Sequence, residues 1–344
     1  MNLETPLELV NLKEITDDKA FSFEPSNFDE YLGQKIVKEK LEVYTKACKM
    51  RSEALDHLLL FGPPGLGKTT LANVMAKELG VNIKITSGPV LERSGDLVAI
   101  ISNMEEREIL FIDEIHRLPK IVEESLYSAM ENFCIDMIIG QGAGAKSVRL
   151  PLNRFTVIGA TTKTSLISGP LQTRFGIVER LDFYESEDLA QIVMQNSKYL
   201  GMEITAQAAL ILGQRGRGTP RIVKRLLRRV RDFAQVKNQK IIDDFVVNEA
   251  LNFLGIDNDG LNKLDRDILI CMIRDFDGGP VGLETLAAMT GEDKDTIETF
   301  CEPFLLRLGL LQKNSRGRQI TPKKLPYLRK KLLDEDVIEQ NSLF

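Results

Sequence analysis

From about residue 28 to 184 the chain alternates short apolar runs with stretches whose apolar residues recur every three or four positions. That is the pattern of parallel strands joined by amphipathic helices. Leu58-Leu59-Leu60-Phe61 is an apolar run suited to a strand buried on both faces. The helix after it carries Leu71, Val74, Met75 and Leu79 on one face and stops at Gly80. Further strands are expected over 82–86, 109–113, 155–160 and 180–184.

Segment 133–150 breaks this rhythm. Two alternating runs flank Gly-Gln-Gly-Ala-Gly-Ala, which predicts a β-hairpin projecting from the α/β core. Residues 1–27 read as a polar arm and 185–256 as a small all-helical domain. A Gly-, Asp- and Asn-containing linker over 255–260 leads to a third domain over 257–335 and a tail over 336–344. The third domain has the pattern of a winged helix: a helix over 264–276, a Gly278-Gly279-Pro280 turn, a helix-turn-helix over 283–289 and 292–308, and a hairpin wing over 310–321. The expectation is thus an α/β phosphate-loop core with a parallel sheet, a helical lid domain and a winged-helix domain.

Composition narrows the chemistry. The net charge of −5 excludes a globally basic nucleic-acid binder, so any DNA contact must be local. Four scattered cysteines and two histidines, His57 and His116, offer no metal-ligand spacing or disulfide framework. The acidic start lacks the apolar core of a signal peptide, and no run nears the ~18 apolar residues of a membrane span. A cytoplasmic location is expected.

Gly62-Pro63-Pro64-Gly65-Leu66-Gly67-Lys68-Thr69 is a complete phosphate-loop motif between an expected strand and an expected helix. Its glycines let backbone N–H groups curl around a β-phosphate at a helix N-terminus. Lys68 would neutralise phosphate charge, and the Thr69 hydroxyl would ligate Mg²⁺ beside ATP. The strand over 109–113 ends in Asp113-Glu114, where Asp113 can reach Mg²⁺ and Glu114 can polarise an attacking water. His116, next to them, is read as structural. The run 215–231 holds eight basic residues and no acid; a nucleic-acid patch and a solvated lid helix both fit it. In the third domain the basic wing carries Lys313, Arg316 and Arg318. The preceding helix bears Glu292, Asp293, Asp295, Glu298 and Glu302 on a face expected to be exposed. An acidic helix is repelled from a groove, so the wing would grip phosphates without reading sequence.

With these motifs stand Asp113-Glu114-Ile115-His116-Arg117, Gly159-Ala160-Thr161-Thr162, Leu171-Gln172-Thr173-Arg174-Phe175-Gly176 and Gly218-Thr219-Pro220-Arg221. In this order and spacing, over about residues 28–318, the chain resembles the RuvB family of AAA+ ATPases. The resemblance implies an ATP-driven motor for branch migration of Holliday junctions in recombination and repair. It implies a homo-hexameric ring around duplex DNA and a junction-binding partner, RuvA, docked on the hairpin. The hairpin's apolar members Ile138, Ile139, Val148 and Leu150 are the expected contact, since exposed apolar patches mark interfaces. It further implies Thr162 as sensor 1, Arg174 as an arginine finger acting on the neighbouring subunit's ATP, and Arg221 as sensor 2. Phe23, Glu24, Gly65, Gly67, Lys68, Thr69, Thr70, Glu131, Asn132, Phe133 and Tyr184 match nucleotide-pocket positions. The chain departs from the family's usual residues at Glu24, Lys163, Gln172-Thr173 and Lys313. A clamp-loader subunit would lack the hairpin and the winged helix. An ATP-sensing DNA-binding regulator would not need both Glu114 and Arg174.

Overall fold

The computed structural model describes residues 23–139 and 146–341, within two compact units, 1–243 and 244–344. Most of the expected arm and the turn of the expected hairpin lie outside the described residues.

In the first unit, β1 (Leu58–Phe61), β2 (Ile83–Ser87), β3 (Ile109–Asp113), β6 (Thr156–Thr161) and β7 (Ile177–Arg180) form one parallel sheet in the order β2-β3-β6-β1-β7. Strands β3, β6 and β1 are buried along nearly their whole length, as their unbroken apolar runs require. Helices α1 (Lys35–Arg51), α2 (Lys68–Leu79), α3 (Ser94–Ile101), α4 (Lys120–Asn132) and the short α5 (Gly169–Gln172) connect the strands. Gly80 takes φ 70° at the end of α2, the left-handed stop that a glycine accepts without strain.

The last strand differs from expectation: it spans Ile177–Arg180, not 180–184. It is an edge strand with Val178 exposed, and Glu179 pairs with Lys40, so its sequence lacks the apolar run of the central strands. The chain leaves the sheet after Leu181, which donates its N–H to Phe61, and this frees Tyr184 to turn toward the phosphate loop.

The hairpin forms as expected from β4 (Cys134–Ile139) and β5 (Lys146–Pro151), antiparallel, with Ile138 opposite Ser147. The lid helices α6 (Ser186–Tyr199), α7 (Ala206–Arg215) and α8 (Pro220–Val236) are joined by a pair the periodicity did not show. There β8 (Glu203–Ile204) lies parallel to β9 (Ile241–Ile242). The second unit begins with α9 (Asp244–Phe253), a helix expected within the lid segment.

The rest of that unit is α10 (Lys263–Phe276), α11 (Leu283–Thr290), α12 (Lys294–Thr296), α13 (Glu302–Arg307), the wing strands β10 (Leu311–Asn314) and β11 (Gly317–Ile320), and α14 (Leu325–Asn341). Ile268, Leu269, Met272, Leu286, Cys301, Leu305, Ile320 and Leu328 fill its core. The expected single helix over 292–308 is interrupted by a π-turn, Ile297–Cys301. Pro303, the second residue of α13, has no N–H to offer the carbonyl one turn back, so the helix widens there.

Candidate nucleotide and DNA sites

The phosphate loop runs from the tip of β1 into α2. Gly62, Gly65 and Gly67 have φ of 143°, 79° and 94°, conformations a side chain would strain. Space closes the same positions: a Cβ on Gly62 would lie 2.3 Å from the Leu181 carbonyl oxygen, and one on Gly65 would lie 3.0 Å from Arg221 Cβ. Lys68, buried at 7% exposure, donates to the carbonyls of Gly62 (2.9 Å) and Pro63 (3.0 Å). Burial lowers its pKa; the charges of Asp113 and Glu114 oppose that shift and Arg221 adds to it. Thr69 and Thr70 follow in the first turn of α2, half-buried.

The parallel register sets Ile112 of β3 against Gly159 of β6, which brings the strand tips side by side. Asp113 Oδ1 accepts the Glu114 N–H at 3.0 Å. Glu114 adopts φ 48°, ψ 44°, an uncommon left-handed conformation for a glutamate, and this turns the chain sharply off the sheet. Its carboxylate Oε2 lies 3.3 Å from the Thr162 hydroxyl, which donates, and 3.2 Å from His116 Nδ1. His116 Nδ1 is also 2.9 Å from Thr161 Oγ1. Burial lowers the His116 pKa; Glu114 pulls it back up, while Lys163 and Arg117 push it further down. The structure thus gives His116 a place at the proposed base that the sequence did not.

Tyr184, expected from the resemblance at the nucleotide pocket, lies against the phosphate loop. Its hydroxyl donates to the Leu66 carbonyl (3.2 Å) and sits 3.1 Å from the Tyr31 hydroxyl. Burial pushes the Tyr184 phenol up to about 12 and the Tyr31 phenol well above the usual tyrosine range. Tyr31 and Gly33 were not anticipated. Gly33 has φ 78°, and a Cβ there would fall 2.3 Å from Tyr184 Cε1, so the ring occupies the glycine's missing side chain. The Tyr-x-Gly spacing was the available signal, but it has meaning only once Tyr184 is folded beside it.

Arg221, in the first turn of α8, donates its backbone N–H to Gly65 (3.4 Å), and Tyr184 donates its own to Gly218 (2.9 Å). Phosphate loop and lid are therefore bonded directly. The remaining arm residues bridge the same elements. Phe23 donates its N–H to Asn196 (3.0 Å), accepts from Lys224 (3.2 Å) and sets its ring edge-on to Tyr199. Lys77 of α2 donates to Pro25 (3.3 Å). Phe23 borders an open cleft of about 540 Å³ with Gln191, Met194 and Lys198; Glu24 is exposed.

Arg174 follows α5, and its guanidinium meets the Glu131 carboxylate at 2.8 Å. Glu131 and Asn132 end α4 with exposed side chains. Phe133 packs at the hairpin base against His57 and Phe155, under the Arg154 guanidinium. The expected pocket segment 131–133 therefore stands with Arg174, at the hairpin base. Of the expected docking residues, Leu150 packs against the core and Val148 is exposed; the side chains of Ile138 and Ile139 lie outside the described residues.

In the second unit the expectation of an exposed acidic helix face fails at Glu302, which is 3% exposed. It bonds Arg318, and Lys313 lies 3.1 Å away; Glu298 reaches Lys313 at 3.2 Å and Arg318 at 3.6 Å. The π-turn rotates Glu302 inward, under the wing. Two of the three expected DNA-binding cations thus hold the wing to the helix, while Arg316 stays exposed at the turn.

Three family models match consecutive segments: the Holliday junction DNA helicase RuvB P-loop domain over 23–181, the RuvB AAA lid domain over 184–257 and the RuvB C-terminal winged helix domain over 258–329. Among solved structures, Thermotoga maritima RuvB, described as a Holliday junction branch migration motor, is 46% identical, with 89% of this chain and 98% of that chain covered and a TM-score of 0.79. A proline-to-glycine variant of that protein matches at 46% identity over 89% and 99%, with a TM-score of 0.81. An arginine-to-alanine variant is 45% identical over 89% and 98%, with a TM-score of 0.79. Family models along nearly all the described chain, with identity of this order over 89% of it, show that the chain belongs to the RuvB family of ATP-dependent Holliday junction branch-migration motors.

Proposed function

We propose that the chain is one subunit of a homo-hexameric, Mg²⁺-ATP-driven ring that encircles duplex DNA in the cytoplasm and moves Holliday junctions with a RuvA-like partner. The observation that carries the reading is convergence: Arg221 of the lid donates its backbone N–H to Gly65 of the loop that holds buried Lys68, and the acids Asp113 and Glu114 end β3 in the same parallel sheet, close enough for their charges to act on Lys68. No helix among the described residues is long and apolar enough to cross a membrane.

The donors suit Mg²⁺. Thr69 and Asp113 are hard oxygen ligands, and Mg²⁺ typically takes only one or two protein ligands, with water and phosphate completing its shell. Bound there, the ion would neutralise charge developing on the phosphates. Gly65 and Gly67 let the loop approach the phosphates. Lys68 holds the β- and γ-oxygens, with Thr70 beside it. Glu114 takes the proton of the attacking water, and Thr162 aligns that water through the carboxylate it already bonds. Arg221 and Tyr184 tie lid position to the bound nucleotide, and Phe23 and Glu24 border it where the arm spans α2 and the lid helices.

Arg174 acts as the finger on the neighbouring subunit's ATP. Its pairing with Glu131 carries the 131–133 segment to the same subunit boundary, which explains how residues at the hairpin base match nucleotide-pocket positions. Docking of the partner falls to the hairpin 133–150, where Val148 is an exposed apolar residue. Arg316 is the leading phosphate contact on the wing, with Lys313 and Arg318 behind it. Junction migration, measured on a four-way junction with and without the partner, tests the assignment. Hydrolysis without migration under both conditions would overturn it.

A further inference from the structure

We infer that His116 is a positioning residue that holds the Glu114 carboxylate in line for hydrolysis, acting through its Nδ1 atom. The inference rests on Glu114 being the base.

Three features converge on it. Glu114 is exposed enough to swing, since a third of its side chain is open, and a glutamate fixed at one point can rotate about the rest of its chain. Thr162 and His116 both approach the same oxygen, Oε2, at 3.3 and 3.2 Å, so the proposed action on water falls to Oε1. His116 itself is built in: its side chain is 7% exposed, it sits on the short helical turn Ile115–Arg117 that the left-handed Glu114 creates, and its Nδ1 touches fully buried Thr161.

The hydrogen-bond inventory defines what Nδ1 can do. Thr161 Oγ1 accepts the Lys163 N–H at 3.0 Å, so its own hydroxyl proton is available to donate. If Nδ1 is bare, Thr161 donates to it, and its lone pair then faces the Glu114 carboxylate at 3.2 Å. If Nδ1 carries the proton, the N–H is shared between Thr161 Oγ1, which it meets in hydrogen-bond geometry, and the Glu114 carboxylate 3.2 Å away. The second arrangement satisfies the buried ring and the charged oxygen together, and hydrogen bonds to charged groups are the stronger kind. Through Thr161, the position of Glu114 is linked to the end of β6, which also carries sensor residue Thr162.

Atom geometry supplies the test. An asparagine amide nitrogen occupies nearly the place of His Nδ1, whereas a glutamine amide nitrogen occupies that of Nε2. In the full-length chain with duplex DNA, His116→Ala and His116→Gln should lower kcat about ten- to hundred-fold, the worth of one charge-assisted bond. KM for ATP should stay within about threefold on the same ground, because the bond does not touch bound nucleotide. His116→Asn should recover most of the lost kcat. Unchanged kcat in His116→Ala while Glu114→Gln is inactive would overturn the role of His116 alone. Parental hydrolysis by Glu114→Gln would overturn the base assignment and this inference with it. If the alanine variant fails to fold, the asparagine-glutamine pair decides: equal loss in both, with equal loss of thermal stability, would reduce His116 to packing.

Discussion

The Arg174 guanidinium pairs with the Glu131 carboxylate at 2.8 Å, although they stand 43 positions apart along the chain. Both side chains are substantially exposed, so the pair adds little to stability. Its consequence is geometric: the guanidinium is tied to the end of α4 with its Nε buried and about a third of the side chain, 36%, left open to a neighbour in the proposed ring. A planar, permanently charged fork is suited to spread the charge of a transferring phosphoryl group.

Arg174→Ala should therefore bind ATP almost as the parent does and hydrolyse it about 10³-fold more slowly or worse. Mixed with Lys68→Ala subunits, it should regain part of its activity, because one variant offers an intact pocket and the other an intact finger. Absence of rescue in rings shown to be mixed would place the arginine's action within its own subunit.

Lys68→Ala and Glu114→Gln should separate binding from turnover. Lys68 interacts with phosphate charge in the ground state, so its loss should weaken ATP affinity by at least about tenfold, the worth of one charged hydrogen bond. Glu114 acts only on the water; its amide should bind ATP normally and lower kcat about 10²-fold or more. Equilibrium nucleotide titration beside steady-state hydrolysis checks both. Unaltered affinity in Lys68→Ala would refute the phosphate-loop assignment.

Much of this site was legible because phosphate chemistry imposes fixed spacings. Glycines, lysine and threonine must follow one another in a single loop, and the acids must end a neighbouring strand. The fold was legible for a related reason: strands buried on both faces leave unbroken apolar runs. Where burial was one-sided, the reading slipped, as with edge strand β7 at Ile177–Arg180. Contacts between distant segments were silent. Nothing local to Tyr31 or His116 says that one will meet Tyr184 or that the other will meet Glu114. Glu302 misled for another reason. A helical repeat placed it outside, and only the π-turn before Pro303 brings it in.

Gly33→Ala tests the tyrosine contact. The new Cβ would stand 2.3 Å from Tyr184 Cε1 on a backbone already at φ 78°. Displacing the ring should cost about 1–3 kcal/mol of stability. ATP affinity should fall as well, because Tyr184 also bonds Leu66 of the phosphate loop. Tyr184→Phe, which keeps the ring and removes the hydroxyl, should show the affinity loss with a smaller stability change. Parental stability in Gly33→Ala would show that the ring has room to move.

The hairpin should be separable from the motor. Replacing Ile138 and Ile139 by Ser alters strand positions paired with Ser147 and Lys146, away from Ile135, which packs in the core. Basal hydrolysis and direct DNA binding should persist, while stimulation of migration by the junction-binding partner is lost. A fall in basal hydrolysis would make this half of the hairpin part of the ATPase core.

On the wing, two arginines that look alike in sequence should behave oppositely. Arg316 is exposed at the hairpin turn, and phosphate is a fitting partner for it. Arg316→Ala should weaken duplex binding about equally for all sequences and reduce the slope of log K against log salt by about 0.9. Folding should be unaffected. Arg318 bonds buried Glu302 and is itself only 12% exposed along its side chain. Its removal leaves a carboxylate under the wing with Lys313 as its remaining cation, 3.1 Å away. Arg318→Ala should destabilise the full chain by on the order of 2–3 kcal/mol, below the roughly 3–5 of a buried pair stripped of its only partner. Urea unfolding, alongside DNA titrations at several salt concentrations, distinguishes the two. The double variant Arg318→Leu/Glu302→Leu should recover stability, because it removes both charges from the interior. If Arg318→Ala is as stable as the parent and shows the salt-slope change instead, Arg318 is a DNA contact and Lys313 alone suffices for Glu302.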